Sequence, residues 1–151
     1  MSDRTLIIGA DHAGLTLKNH CKAFAERLGV RVEDLGTHGP ESVDYPDYGA
    51  KVAARVVELG GRALGLAVCG SGIGISMAAN KVKGARAALC HDVTSAKLAR
   101  EHNDANVLCL GERLIGVVVA EGCLETFLST EFAGGRHGKR VQKLAELDEH
   151  G

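Results

Sequence analysis

Five short apolar runs, rich in branched side chains and bounded by glycine, constrain the fold of this chain most strongly. Segments with the 3.6-residue spacing of helices lie between them. A short continuous apolar run of this kind is typical of a strand buried on both faces of a parallel sheet. We therefore predict strands over residues 6–9, 30–35, 64–68, 87–90 and 107–110.

The intervening segments predict helices that cover this sheet. Leu17, Cys21, Phe24, Ala25 and Leu28 form one apolar stripe. Further helices are predicted over residues 48–59, 74–82, 94–102, 115–128 and 139–147. Alternation of this kind favours an α/β fold with a five-stranded parallel sheet between two helical layers. No internal repeat or low-complexity linker interrupts it, so we predict a single domain over residues 1–151.

Composition excludes several classes of partner. The 18 basic and 19 acidic side chains nearly cancel, and there are only five aromatic residues, so nucleic acid is not an expected partner. The start of the chain lacks a secretory signal, and glycines and serines interrupt the longest uncharged stretch, residues 63–80, so we expect a cytoplasmic protein without a membrane span. The spacing of the five cysteines matches no zinc or redox motif, so we expect reduced thiols and no metal.

The loop over residues 69–74 is the most informative segment for function. Its alternating glycines, Gly70, Gly72 and Gly74, let successive backbone N–H groups turn toward one point at a helix N-terminus. Such a loop can hold a phosphate, a carboxylate or a developing oxyanion. Alternatively, it is only a tight turn whose glycines allow packing. A dinucleotide motif would need glycine in place of Ile75, and the GxxxxGK[ST] phosphate loop is absent.

Cys69 stands at the start of this loop, where a helix dipole would stabilise its thiolate. A thiolate there could act as a base or a nucleophile. The other four cysteines, Cys21, Cys90, Cys109 and Cys123, lie on apolar stripes or strands, and we interpret them as small buried hydrophobic residues.

Acid–base and anion-binding candidates lie elsewhere in the chain. The pair Asp11-His12 and the segment 102–104 carry groups that can transfer protons near neutral pH, although a surface histidine or a helix cap is the alternative for each. Arg136 and Arg140 stand four residues apart, so a helix beginning near Arg136 would place both guanidinium groups on one face, where they could hold one dianion.

Six motifs occur in an order that resembles a known family: residues 9–14 (GADHAG), 44–48 (DYPDY), 69–76 (CGSGIGIS), 78–81 (AANK), 102–106 (HNDAN) and 134–137 (GGRH). Together they resemble the type B ribose-5-phosphate isomerases and the wider sugar-phosphate isomerase family that includes the galactose-6-phosphate isomerase subunits. The resemblance implies a Rossmann-like three-layer αβα sandwich. It also implies a cofactor-free aldose–ketose isomerase of the pentose phosphate pathway, a homodimer or homotetramer whose subunits share active sites.

The resemblance assigns the catalytic roles. Cys69 would be the base that moves a proton between C1 and C2 of ribose 5-phosphate, which becomes ribulose 5-phosphate through an enediolate. Ser71 would shuttle protons between O1 and O2. His102 would open the sugar ring, and Asp11 would act on the ring or anomeric oxygen. Chemically, the enediolate needs stabilisation as it forms, which suits the amides of the loop, namely those of Gly70, Gly72, Ile73 and Gly74.

The resemblance also assigns the groups that bind substrate. Tyr45 and Asn103 would hold sugar hydroxyls. The phosphate would lie among four basic residues, namely His12, Arg113, Arg136 and Arg140. One branch of the family replaces the cysteine and uses a glutamate six positions further on, where this chain has Ile75; the chain therefore resembles the cysteine branch.

Two alternatives remain open at this point. The first is an isomerase of the same mechanism that acts on a hexose 6-phosphate, such as allose or galactose 6-phosphate. The second is a nucleotide-binding module, which Asp92 favours because it lies twenty residues beyond Gly72, near the position expected for an acidic ribose contact.

Overall fold

The computed structural model describes residues 3–150, except for the side chain of His150, and these residues form five strands and six α-helices. The strands are β1 (Thr5–Ala10), β2 (Val32–Asp34), β3 (Ala63–Cys69), β4 (Ala87–Leu89) and β5 (Val107–Gly111). The helices are α1 (Leu15–Arg27), α2 (Tyr45–Leu59), α3 (Ile73–Ala79), α4 (Val93–Asn103), α5 (Val117–Ser129) and α6 (Arg136–His150).

The strands form one parallel sheet in the order β2-β1-β3-β5-β4. Leu6 of β1 is in register with Val32 on one side and Leu64 on the other. Leu108 of β5 is in register with Leu66 and Ala88. The predicted α/β fold with a five-stranded parallel sheet is confirmed.

Helices cover both faces of the sheet, as predicted. One core packs α1, α4 and α5 against alternate residues of the central strands, including Leu6 and Leu66. The other packs α2 and α3 against the intervening residues, including Ile7. Alternate side chains of one strand therefore enter different cores, which is why the central strands read as continuous apolar runs.

The prediction that all five strands are buried on both faces is wrong for β2 and β4. These strands lie at the two edges of the sheet, and every residue in them is partly exposed. An edge strand lacks one neighbour, so it is shorter and less covered than the central three.

Two helices, α2 and α6, begin three residues earlier than predicted. Helix α2 begins at Tyr45 because Pro46 fits the first turn, where its missing N–H is not needed. Helix α6 begins at Arg136, so Arg136 and Arg140 do occupy successive turns of one helix. No helix in the described part of the chain is both long enough and apolar enough to cross a membrane.

A buried ion pair fixes the segment that follows β2. Lys18 is fully buried, and its Nζ donates to Asp34 Oδ1 (2.8 Å), Asp34 Oδ2 (3.0 Å) and the Thr37 carbonyl (2.6 Å). The same segment is hydrogen-bonded to the end of β1, since the Ala10 N–H donates to Gly36 O and the Thr37 N–H donates to Ala10 O. The start of the loop that carries Asp11 is therefore held from two sides.

Candidate active site

A crevice opens where the chain connections leave the sheet in opposite directions. From β1 the chain moves outward to β2, and it then returns across β1 to form β3. Ligands of doubly wound folds bind at the carboxyl ends of strands beside such a switch point. A cavity of about 590 Å³ lies there. Twelve residues line it: Asp11, His12, Ala13, Tyr45, Cys69, Gly70, Ser71, Ile73, Gly74, Met77, Arg113 and Leu114.

The glycine loop joins β3 to α3 through a turn that needs Gly72. Its φ of 77° lies in the left-handed region, and a Cβ there would approach Leu89 Cδ1 to 2.5 Å and the Leu110 carbonyl carbon to 2.9 Å. Cys69, which is 4% exposed, immediately precedes the loop, and its Sγ accepts a hydrogen bond from the Gly72 N–H at 3.1 Å. The Cys69 sulfur therefore lies at the cavity wall and is held there by a backbone N–H.

The loop amides do not all point toward one vacant anion position, as the sequence led us to expect. The Gly72 N–H donates to Cys69 Sγ, and the Ile73 N–H donates to Ser71 Oγ at 3.2 Å. The Gly70, Ser71 and Gly74 N–H groups donate to no acceptor within residues 3–150. Side-chain acceptors within the loop therefore engage two amides, and three remain available to a ligand.

Asp11 lines the same cavity and is only 6% exposed. Its Oδ1 accepts hydrogen bonds from the N–H groups of Ala13 (3.0 Å) and Gly14 (3.1 Å), so it caps the short 3₁₀ turn that precedes α1. The backbone N–H of Asp11 donates to Val68 O, which joins this loop to β3. The side chain is thereby oriented beside the glycine loop.

His12 follows at the exposed rim, and its Nδ1 accepts a hydrogen bond from the Val43 N–H at 3.1 Å. In the neutral ring the proton must then be on Nε2. His12 can thus donate a hydrogen bond from Nε2 to a ligand.

Tyr45 and Arg113 complete the wall around the glycines. A Cβ on Gly74 would lie 2.6 Å from Cε1 of Tyr45, so the tyrosine ring packs directly on this glycine. A Cβ on Gly70 would lie 3.3 Å from the Nη1 of Arg113, whose backbone N–H also donates to Gly70 O at 2.9 Å. The loop after β5 therefore holds a guanidinium against the glycine loop.

The remaining predicted site residues lie elsewhere in this chain. His102, Asn103 and Arg140 line a second cavity of about 270 Å³, which shares no lining residue with the first. Helix α4 connects two parallel strands, so it runs antiparallel to them. Its last residues therefore lie near the amino-terminal ends of the strands, whereas Cys69 lies at the carboxyl-terminal end of β3. One chain does not bring His102 to Cys69, because the topology separates them. Arg136 begins α6 and does not line either cavity.

His137 also lines the second cavity, and no sequence pattern assigned it a role. Its ring stacks on the His102 ring, with centroids 4.2 Å apart and 15° between the ring planes. Partial removal from water lowers the pKa of His137, and electrostatic interactions with His102, Arg136 and Arg140 lower it further. The signal in the sequence was its position between the two arginines. Met77 was also missed: it stands four residues after Ile73 on the face of α3 that lines the first cavity.

The other cysteines are buried, as predicted, and do not line either cavity. Burial raises the pKa of Cys21 to about 12 and that of Cys123 to about 11. Burial likewise raises the pKa of Cys90 and of Cys109. All four thiols stay protonated at neutral pH, which leaves Cys69 as the one cysteine that borders the first cavity.

Asp92 has a structural role. Its Oδ1 accepts a hydrogen bond from the Ser95 N–H at 2.6 Å and caps α4. The feature that favoured a nucleotide-binding module is therefore a helix cap. Within the described part of the chain, no cluster of three or more His, Cys, Asp or Glu side chains could hold a metal ion.

Comparison with known proteins identifies the family of the chain. The family model described as Ribose/Galactose Isomerase matches residues 6–144. Ribose-5-phosphate isomerase B of Escherichia coli is 40% identical over 148 residues, which cover 97% of each chain. The structure of Clostridium thermocellum ribose-5-phosphate isomerase B has a TM-score of 0.92 at 49% identity, with 97% of this chain and 98% of that chain covered. Ribose-5-phosphate isomerase B of Mycoplasma genitalium, solved with bound ribulose-5-phosphate, has a TM-score of 0.95 at 38% identity over 100% of both chains. The chain thus belongs to the ribose/galactose isomerase family.

Proposed function

We propose that this protein interconverts D-ribose 5-phosphate and D-ribulose 5-phosphate. The observation that carries the proposal is the first cavity, in which the thiol of Cys69 lies beside available backbone amides and the Arg113 guanidinium. A base next to fixed N–H donors suits proton abstraction from carbon beside a carbonyl, because the enediolate oxygen needs stabilisation as it forms. The relatives named ribose-5-phosphate isomerase B support the same substrate.

In the proposed reaction, the Cys69 thiolate takes the proton from C2 of the open-chain aldose. The electron pair of that C–H bond moves into a C1–C2 double bond and leaves an enediolate, whose oxygens accept from the amides of Gly70, Ser71 and Gly74. The Ser71 hydroxyl moves a proton from O2 to O1, or the reverse in the other direction. Cys69 then returns its proton to C1, so a ketose forms without a net change in protons or electrons.

The phosphate lies far from the reacting carbons in this scheme, and basic side chains hold it. Binding energy from a remote, unreactive group can position the atoms that react. Arg113 supplies one guanidinium in the first cavity, and Arg140 supplies another beside His102 and His137 in the second. Arg136, one turn before Arg140 on α6, adds positive charge nearby.

We further propose that each active site combines the first cavity of one copy with the second cavity of another copy. The topology supports this, since in one chain Cys69 lies at the carboxyl-terminal ends of the strands and His102 lies near their amino-terminal ends. The ring-opening group, His102, and the hydroxyl-binding group, Asn103, would then come from the partner. A homodimer is the smallest assembly that satisfies this arrangement, and a tetramer would contain it twice.

Mixing two inactive variants tests the shared site. Cys69→Ala and His102→Ala each remove one half of the site, so each homodimer should be nearly inactive. If the halves come from different copies, a heterodimer has one doubly altered site and one intact site, and about half the dimers in an equilibrated mixture should regain one working site. If both residues serve the same site from one chain, mixing restores nothing.

A substrate panel tests the reaction itself. In deuterium oxide, turnover through an enediolate should place solvent deuterium at C2 of the recovered aldose. The value of kcat/KM should be higher for ribose 5-phosphate than for allose or galactose 6-phosphate. A reversed preference would identify a hexose 6-phosphate isomerase, and saturable NAD or ATP binding without sugar turnover would remove the isomerase proposal.

We also propose a cytoplasmic location. All five cysteines are unpaired and buried, which suits a reducing compartment.

Full activity of the protein purified without any added metal or nucleotide would agree with the cofactor-free mechanism, and activity that chelation abolishes would contradict it.

A further inference from the structure

A third cavity, of about 290 Å³, lies at the amino-terminal ends of the strands, away from Cys69. The residues that line it come from the starts of strands and from helix ends, including Arg4 before β1, Arg86 before β4 and Arg100 near the end of α4. Three arginines from three separate parts of the chain thus converge on one cavity. Among its lining residues, Asp104 alone carries a carboxylate.

Arg100 is the central group, because its side chain is only 2% exposed. Its Nε donates to Thr130 O at 3.0 Å, and its Nη1 donates to Asp104 Oδ1 at 3.1 Å and to Ala105 O at 2.6 Å. Its Nη2 donates to no acceptor among the described residues. Since no buried side-chain nitrogen or oxygen of those residues lacks a partner, Nη2 is not fully buried, and Arg100 is one of the residues that line the cavity.

Among the lining residues themselves the charges do not cancel, since three arginines are present with one aspartate. Asp104 accepts from Arg100 and also contacts Arg86, whose Nη2 lies 3.4 Å from Asp104 Oδ2. Arg4 pairs with Glu131 at 2.9 Å outside the lining. A third carboxylate, that of Asp148, also lies outside the lining and accepts a hydrogen bond from the Gly84 N–H at 2.9 Å. Burial lowers the pKa of Arg100, and the Arg4 charge contributes to that direction.

We propose that this cavity binds a phosphate dianion, either inorganic phosphate or the phosphate group of a small metabolite. Guanidinium groups offer paired donors that match phosphate oxygens, and the Nη2 of Arg100 is one such donor with no protein partner. The volume lies near the lower limit for small-molecule sites, so it admits a phosphate and few further atoms. The proposal does not depend on the isomerase reaction, because no lining residue is shared with either of the other two cavities.

Nuclear magnetic resonance can locate the binding in the full-length protein. The backbone amides of Gly61 and Gly84, which line this cavity, are followed while inorganic phosphate, glycerol phosphate or sodium chloride is added at matched ionic strength. Saturable shifts with inorganic phosphate but not with chloride support the proposal. Equal or tighter saturation with glycerol phosphate assigns the site to a metabolite. Shifts that stay linear in both phosphate series overturn it.

Two matched pairs of variants separate this cavity from other phosphate sites. A Cβ at Gly61 meets no atom within 4 Å, so Gly61→Glu adds a carboxylate without displacing an arginine, and Gly61→Gln is its neutral control. Arg86→Gln removes one lining charge, whereas Arg62→Gln removes an exposed charge outside the lining. We expect Gly61→Glu and Arg86→Gln to weaken the saturation seen at Gly84 at least tenfold, and the two controls to retain it. Wild-type affinity at Gly84 in both Gly61→Glu and Arg86→Gln would overturn the proposal.

Discussion

The Gly72 N–H donates to the Sγ of Cys69 across 3.1 Å, and this contact ties the candidate base to the turn that only glycine can make. The contact holds the thiol at the cavity wall. A serine hydroxyl in the same position is a far weaker acid than a thiol, so almost none of it is ionised at neutral pH. Serine therefore cannot replace cysteine as a base.

Replacing Cys69 should therefore remove catalysis and leave binding. Because a positioned base contributes about 10²–10⁴-fold to rate, we expect Cys69→Ala to lower kcat by at least that factor. Cys69→Ser should be similarly impaired, since it keeps the shape but not the acidity. Calorimetric titration with the sugar phosphate should give a Kd close to that of the wild type. Turnover near the wild-type rate in either variant contradicts the role of Cys69.

The arginines at the start of α6 should act on binding instead. A hydrogen bond to a charged group is worth about 1.5–3 kcal/mol, so Arg140→Ala should raise KM roughly 10–100-fold with a smaller change in kcat. Lys143→Ala is the matched control, because Lys143 is exposed on the same helix and does not line the second cavity. Steady-state kinetics distinguish them, and an unchanged KM in Arg140→Ala would mean that this face of α6 meets only solvent.

The sequence predicts most of what local pattern and chemistry determine. The central strands, the apolar stripe of α1 and the cysteine at the glycine loop follow from residue type and spacing. The partial exposure of β2 and β4 depends on strand order, which no single segment encodes. The engagement of two loop amides by Cys69 and Ser71 depends on side-chain rotamers within one turn.

The position of His102 follows from the element order, because a helix between parallel strands must end near the amino-terminal end of the next strand. The predicted element order therefore places His102 and Cys69 near opposite ends of the strands. What the sequence could not provide was the surface that brings a second copy into place, since that depends on how several elements meet in space.

His102 should matter most for substrates that form rings. Ribose 5-phosphate closes to a furanose through its C4 hydroxyl, whereas in a four-carbon aldose 4-phosphate the C4 oxygen carries the phosphate and cannot close the ring. We expect His102→Ala to reduce kcat/KM for the five-carbon aldose by about 10²-fold or more, in the range of general acid–base catalysis, and to affect the four-carbon substrate much less. Parallel kinetic measurements on both substrates provide the comparison. Equal losses would assign His102 to general positioning and not to ring opening.

His137 should report on the charge of the second cavity. Partial removal from water and nearby positive charges lower the pKa of His137, so the unfolded chain takes up this proton first as the pH falls below about 6.5. The contribution to stability is therefore fully present above that pH and is lost on acidification. His137→Gln should show a smaller decline in the free energy of unfolding between about pH 6.5 and 5 than the wild type. Identical slopes in chemical denaturation series at these pH values would contradict the assignment.

The buried pair of Lys18 and Asp34 should dominate the acid sensitivity of the segment after β2. Burial alone would raise the pKa of Asp34, but the hydrogen bonds from Lys18 Nζ and the Gly36 N–H outweigh it and hold the pKa below its usual value. The folded state thus prefers the ionised carboxylate, and the stability it contributes is present above about pH 4 and is lost as the pH falls further.

Removing one partner leaves the other charge buried without compensation, so Lys18→Met should cost about 3–5 kcal/mol of unfolding free energy at pH 7. The double variant Lys18→Met/Asp34→Leu removes both charges and should recover much of that loss, because a buried pair replaced by apolar groups of similar volume is close to neutral. Denaturant unfolding of the wild type, the single variants Lys18→Met and Asp34→Leu, and the double variant measures the coupling. If the double variant is as unstable as the sum of its single changes, the two side chains are not coupled, and the segment that supports Asp11 is held by its backbone hydrogen bonds to β1.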